Sequence, residues 1–98
     1  MNYKLQIQPE AELDLTEAYR WYEERSQGLG SEFLTAVDSY LFLIQSNPLA
    51  YPVVYEQAHR ALLRKFPYGI FYLIEDDTIV VIACFHAKRD PQSLQNRV

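Results

Sequence analysis

Residues 3–8 alternate apolar Tyr3, Leu5 and Ile7 with polar Lys4, Gln6 and Gln8, the period-two pattern of a strand with one buried face. Pro9 ends the alternation and suits the first turn of a helix. From Pro9 to about Ser26, Ala11, Leu15, Ala18, Tyr19 and Tyr22 recur at helical spacing and form one apolar stripe. Glu10, Glu12, Asp14 and Glu17 load the first turns with negative charge, which the positive end of the helix dipole favours. Gly28 and Gly30 are expected to break this helix. A second helix then presents Phe33, Val37, Tyr40, Leu41 and Ile44 on one face and stops at Asn47-Pro48. Two amphipathic helices joined by a short glycine-bearing loop predict an antiparallel hairpin whose stripes need a cover.

The second half supplies that cover. Pro52 and Pro67 punctuate short extended segments, and His59 to Lys65 reads as a strand of mixed polarity at a sheet edge. YGIFYLIE at 68–75 and TIVVIACFH at 78–86 read as an antiparallel pair joined by a tight turn at Asp76-Asp77. The last strand is apolar at both parities, with Ile79, Val81, Ala83 and Phe85 on one face and Val80, Ile82, Cys84 and His86 on the other. Such a strand is central and covered on both sides. Asp90 is placed as a helix cap and Pro91 as the first residue of a short terminal helix through Arg97. The expected fold is α+β, in the order β-αα-βββ-α, with the hairpin on a small, mainly antiparallel sheet. Ninety-eight residues support one domain, expected over 1–98.

Charge changes the picture, because the net of −4 is unevenly placed. Residues 1–50 hold eight acids against Lys4, Arg20 and Arg25. Residues 51–98 hold five acids against Arg60, Arg64, Lys65, Lys88, Arg89 and Arg97. An acidic whole argues against strong non-specific nucleic-acid binding, while a local basic patch in the second half stays open. The single cysteine, Cys84, excludes an internal disulfide and reads as a small buried hydrophobe. The opening MNYKLQIQPEAE has no apolar signal region and no apolar run reaches membrane-spanning length, so a cytoplasmic protein without a membrane partner is expected.

Candidate chemistry concentrates where the last strand leaves the core, at FHAKRDP (85–91). His86 could act as a general acid or base, having an ordinary pKa near neutrality, or be a margin histidine bonded to backbone or to Asp90. Arg60 and Arg64, four apart on an expected strand, would share a face with Lys65 adjacent. With Lys88 and Arg89 they could hold phosphate or an acidic protein segment, or simply guard a solvated edge. Glu75, Asp76 and Asp77 read as a turn rather than an ion site, and three glycines cannot build a phosphate-cradling loop. No metal and no cofactor are expected. Trp21, off the main stripe of the first helix, flanks the core or anchors a partner.

Four motifs stand in register along the chain: E-x-D-x-x-E-A-Y-R-W-Y at 12–22, L-x-x-I-x-x-N-P at 41–48, R-x-L-L-R-K-F-P-Y-G-I-F-Y at 60–72 and H-A-K-R-D-P at 86–91. Together they resemble the RelE/ParE superfamily of bacterial toxins from type II toxin–antitoxin modules, from Tyr3 to Arg97. The resemblance implies the fold just described, and a cognate antitoxin bound as a hetero-oligomer. It implies one of two activities: ribosome-dependent mRNA cleavage in RelE-like members, or poisoning of DNA gyrase in ParE-like members. RelE-like nucleases carry an arginine where this chain has Gly69 and a tyrosine near Gln95, while Arg89 matches a cation that they use. The resemblance is therefore closer to the ParE branch, of the plasmid-stabilisation type. It implies a non-enzymatic gyrase inhibitor neutralised by its antitoxin, and the cations and histidine read above, Arg60, Arg64, Lys65, His86, Lys88 and Arg89, are the expected contacts to target or antitoxin. The alternatives are an mRNA endonuclease using His86, Arg64 and Arg89, and a degenerate non-toxic binding module.

Overall fold

In the computed structural model, which describes residues 3–98, the opening alternation is strand β1 (Lys4–Ile7). Pro9 begins helix α1 (Pro9–Arg25), whose buried side is Ala11, Ala18 and Tyr22. Helix α2 (Leu29–Ser46) buries Gly30, Phe33, Val37, Leu41 and Ile44. Gly28 stands at φ 89°, a conformation that glycine adopts without steric cost, and it turns the chain between the helices. Gly30 does not break a helix as expected. It lies in the first turn of α2, where the helices approach so closely that a Cβ would stand 2.7 Å from the Tyr19 carbonyl oxygen. Glu23 secures the loop: its carboxylate oxygens accept the N–H groups of Gly28 and Gly30, each at 2.9 Å. Donors at the start of α2 are thus satisfied by a negative charge at the favourable end of the helix.

Strands β2 (Val53–Tyr55), β3 (Ala58–Leu62), β4 (Tyr68–Glu75) and β5 (Thr78–His86) join β1 in one sheet of order β1-β5-β4-β3-β2. β1 is parallel to β5, and the other neighbours are antiparallel. The result is the expected α+β fold, a helical hairpin on a mainly antiparallel sheet, with β2 as one added strand. That addition corrects the reading of 59–65. β2 holds the edge, β3 is interior, and β3 stops at Leu62, because Leu63 closes the hairpin by donating to the Tyr68 carbonyl at 2.9 Å. The mixed polarity of β3 has its own cause. His59 stacks on Tyr72 and its Nδ1 lies 2.7 Å from the Tyr51 carbonyl oxygen, while the Arg60 stem lies over Gly69.

β5 lies between β1 and β4 and is buried from Ile79 to Phe85. Its faces do not follow simple alternation. Tyr72 pairs with Val81 but Phe71 pairs with Ala83, so Ile82 is an extra residue in β5, a β-bulge. Ile79, Val81 and Cys84 therefore face the helices, whereas Val80, Ile82, Ala83 and Phe85 face away from them. The predicted faces hold up to Ile82 and reverse at Ala83, because the bulge inserts one residue into a period of two. The side away from the helices has its own apolar cluster, closed by Leu94, which is fully buried. Leu94 belongs to a 3₁₀ turn (Pro91–Leu94) rather than an α-helix reaching Arg97. Asp90 caps that turn as expected, accepting the Gln92 N–H at 2.9 Å. The Asp76-Asp77 reversal is also as expected, with Asp76 at φ 56° and the Asp77 carbonyl accepting the Lys4 N–H at 2.8 Å.

The bulge is held by an ion pair reaching across the chain. Arg97 donates to both carboxylate oxygens of Asp14, at 2.6 and 3.2 Å, and to the carbonyl of Ile82 at 3.0 Å. Asp14 also accepts the Cys84 N–H at 3.0 Å. The Asp14 and Arg97 side chains are only 12% and 19% exposed, respectively. β1 ends opposite Val81, so this pair replaces the strand neighbour that β5 lacks beyond that point.

Candidate functional site

The expected basic cluster is distributed over three surfaces. Arg60, on β3, points to the face away from the helices, where Gly69 leaves room for its stem: a Cβ on Gly69 would meet Arg60 Cγ at 3.0 Å and Cδ at 3.2 Å. Its Nε is buried with no hydrogen-bond partner among the described residues. Arg64 and Lys65 lie in the bend after β3, not on a strand, so Arg60 and Arg64 do not share a strand face. They form one wall of a groove of about 500 Å³ whose other wall is the Ser31, Thr35, Ser39 and Tyr40 side of α2. His86, Lys88 and Arg89 sit at the end of β5 and in the turn that follows, all exposed.

His86 shares the helix-side parity of Cys84 and stands against Tyr68, ring centroids 5.5 Å apart. Its Nδ1 accepts the Lys88 N–H at 3.1 Å, the backbone partner foreseen for a margin histidine. Asp90, the other partner foreseen, is occupied by Gln92. The neutral ring then carries its proton on Nε2, which faces away from that bond. Arg89 lays its guanidinium over the Phe85 ring, 3.9 Å from the centroid, which fixes the charge on the face away from the helices.

A second groove, of about 250 Å³, opens where α1 passes the end of β5. Glu17 and Trp21 of α1 form one side, Tyr68, Cys84 and His86 the other, and Arg89 lies at its rim. Trp21 is 47% exposed, with the Arg25 guanidinium 3.6 Å from its ring centroid. Burial raises the pKa of the Tyr68 hydroxyl, and the nearby Cys84 and Glu17 raise it further, so it stays protonated at neutral pH. Cys84 is the buried hydrophobe expected from sequence. Burial, aided by the Asp14 carboxylate, pushes its thiol up to about 12, far from a reactive thiolate.

Sequence reasoning singled out Trp21 and His86 but not that Glu17 and Tyr68 join them. The i, i+4 spacing of Glu17 and Trp21 was a usable signal. The pairing of Tyr68 with His86 was not, since counting back from the Asp76-Asp77 turn without the bulge places Tyr68 opposite Phe85. Gln95, where nucleases of the superfamily are expected to place a tyrosine, closes the 3₁₀ turn through its N–H to the Gln92 carbonyl, with its side chain exposed. Among the described residues, no group of three or more His, Cys, Asp or Glu side chains comes together to hold a metal ion, and no helix is long and apolar enough to cross a membrane.

A search of curated proteins finds no match by sequence. Solved structures share the fold. A chain of the chromosomal ParDE toxin–antitoxin system from P. aeruginosa superposes with a TM-score of 0.77 at 12% identity, covering 86% of this chain and 95% of its own. The RelBE2 toxin–antitoxin complex from Mycobacterium tuberculosis gives 0.64 at 22% identity, over 88% and 99% of the two chains. A mutant of E. coli toxin RelE in the free state gives 0.62 at 17% identity, over 99% and 94%. The family described as the ParE toxin of the type II toxin–antitoxin system parDE matches residues 5–91. With that match spanning β1 to the start of the 3₁₀ turn, the chain belongs to the ParE toxin family.

Proposed function

We propose that this type II toxin arrests growth by binding DNA gyrase in the cytoplasm, and that a cognate antitoxin neutralises it in a hetero-oligomeric complex. The family match over residues 5–91 carries the reading. The ParDE and RelBE2 neighbours, both from toxin–antitoxin systems, support an antitoxin as partner. The candidate contacts are Arg60, Arg64, Lys65, His86, Lys88 and Arg89, which are spread over three surfaces.

The geometry around Gly69 favours inhibition over RNA cleavage. Metal-free cleavage of RNA needs cations on the phosphate and groups that move protons at the 2′-hydroxyl and the leaving oxygen. At the strand position of the nuclease arginine there is no side chain, and the space is filled by the aliphatic stem of Arg60. Gln95 does not titrate as an acid or base. Arg64 lies in the groove beside α2 and His86 in the groove beside α1, while Arg89 stands at the rim of the latter with its guanidinium over Phe85, so these three do not line one cleft.

Two assays on purified protein test the reading: supercoiling by gyrase, and mRNA cleavage mapped by primer extension on programmed ribosomes. Inhibited supercoiling with intact message is the expected result. Codon-positioned cuts that vanish in His86→Ala, with gyrase unaffected, would overturn it in favour of an endonuclease. Inactivity in both assays, with antitoxin binding retained, would leave a non-toxic binding module.

A further inference from the structure

Two of the three cationic surfaces meet on the sheet face away from the helices, at the rung where Gly69 of β4 stands opposite Phe85 of β5. Arg60 reaches this rung from β3, its stem lying over Gly69 so closely that a Cβ there would stand 3.0 Å from Cγ. Arg89 reaches it from the turn after β5, its guanidinium 3.9 Å from the Phe85 ring centroid. Arg97 also approaches that ring, at 4.9 Å, but Asp14 answers its charge. Neither Arg60 nor Arg89 forms an ion pair among the described residues. Arg60 Nε is also the one buried side-chain nitrogen or oxygen among them without a hydrogen-bond partner. An unmatched buried N–H is a cost to the fold, and it disappears when the group meets an acceptor.

We propose that Arg60 and Arg89 form a receptor for an acidic segment of the target protein, binding its carboxylates across the Gly69–Phe85 rung. The proposal rests on the gyrase reading above and adds which cations make the contact and what they recognise. A guanidinium presents its donors as a planar fork that matches the two oxygens of a carboxylate. If the end of the Arg60 side chain lifts off the sheet, Nε–H and one Nη–H meet such a carboxylate side-on. The aliphatic stem keeps its place on Gly69, and the unmatched donor gains its acceptor. Glycine sets this site, because a side chain at position 69 would displace the stem. Arg89 is held against the Phe85 ring on one side, which leaves its other side to a second carboxylate.

The surroundings select a protein carboxylate over an RNA phosphate. Leu62, opposite Gly69 and two positions from Arg60 on β3, shares this face and is 46% exposed. Its Cδ2 would stand 3.3 Å from a Cβ at position 69, so apolar surface flanks the Arg60 stem. A protein segment offers an apolar side chain for Leu62 next to its acids. A polynucleotide offers a row of phosphates, which many cations must neutralise. The chain as a whole carries −4, and Arg64 and Lys65 stand apart in the groove beside α2.

The test uses the full chain and purified gyrase, with half-inhibitory concentrations in supercoiling measured for the parent, Arg60→Met, Arg89→Met and the double variant. Methionine keeps an unbranched apolar stem over Gly69 or Phe85 and removes the charge; a urea midpoint for each variant checks its fold. The expected result is that each single variant needs about tenfold more protein, or higher still, for half-inhibition. The double variant should lose less than the product of the two, because both cations grip one acidic segment. Folded single variants within about twofold of an inhibitory parent would overturn the receptor and leave the gyrase reading standing. A parent that leaves supercoiling untouched would overturn both. Message cut by the parent on programmed ribosomes, and left intact by Arg60→Met, would assign the two cations to RNA phosphate and overturn the proposal.

Discussion

Replacing Arg97 by Met removes three hydrogen bonds: to Asp14 at 2.6 and 3.2 Å, and to the Ile82 carbonyl at 3.0 Å. The Asp14 carboxylate left behind is 12% exposed and keeps only the Cys84 N–H. Breaking a buried pair by deleting one partner costs about 3–5 kcal/mol. The turn carrying Arg97 can loosen and admit water, which places this variant at the lower end, about 3 kcal/mol. Asp14→Ala breaks the same pair and also strips the acceptor from a strand-edge N–H, adding about 1 kcal/mol. The double variant should cost less than the two singles together, with a coupling of about 2–3 kcal/mol. Urea unfolding followed by Trp21 fluorescence measures all four proteins. In a thermal scan, Arg97→Met should lower Tm by roughly 12–20 °C for a chain of this size. Additive costs in the double variant, or an Arg97→Met midpoint equal to the parent's, would refute the view that this pair completes the edge of β5.

Glu23→Ala leaves the Gly28 and Gly30 N–H groups without their acceptor and should cost about 1–2 kcal/mol, with Glu23→Gln recovering part of it; an unchanged urea midpoint would show that water replaces the carboxylate. Stability should fall as pH rises from about 9 to about 12, because only the unfolded chain loses the Cys84 proton in that window and so binds fewer protons than the folded one. The Cys84 part of that slope is at most roughly 1.4 kcal/mol per pH unit. Cys84→Ala keeps the buried tyrosines and should flatten the profile by this amount, whereas superimposable profiles would sink the argument. Charge reversal at Arg64 and at Arg89 should weaken antitoxin or target binding, by about 2–5 kcal/mol where the residue forms a buried pair in the complex; calorimetry showing intact affinity and intact toxicity for both would leave these cations as edge guards.

Much of the architecture was legible because long periodic segments specify it. The stripes of α1 and α2 and the doubly apolar β5 follow directly from residue spacing, as does the Asp76-Asp77 turn. What escaped was set by tertiary contact. β2 is only three residues long, Val53–Tyr55, too short to show a period. Gly30 read as a breaker because a sequence does not display the approach of Tyr19. The bulge at Ile82 has no signature among neighbouring apolar residues, yet it decides which side Cys84 and His86 face. For the candidate site, residue types were readable and their grouping was not. Arg60, Arg64 and Arg89 are close in kind but separated in space, and Glu17 gains meaning only beside Tyr68, fifty-one positions later.

The Asp14–Arg97 contact spans 83 positions, and β1 pairs with β5, Lys4 opposite Thr78. On the ribosome, the first strand and both helices emerge before the sheet that covers their stripes exists. The hairpin must wait with Phe33, Val37 and Ile44 uncovered until β5 arrives. The edge of β5 then stays open until residue 97 has been translated. A chain stalled in that interval exposes apolar helix faces, which quality-control proteases recognise and remove.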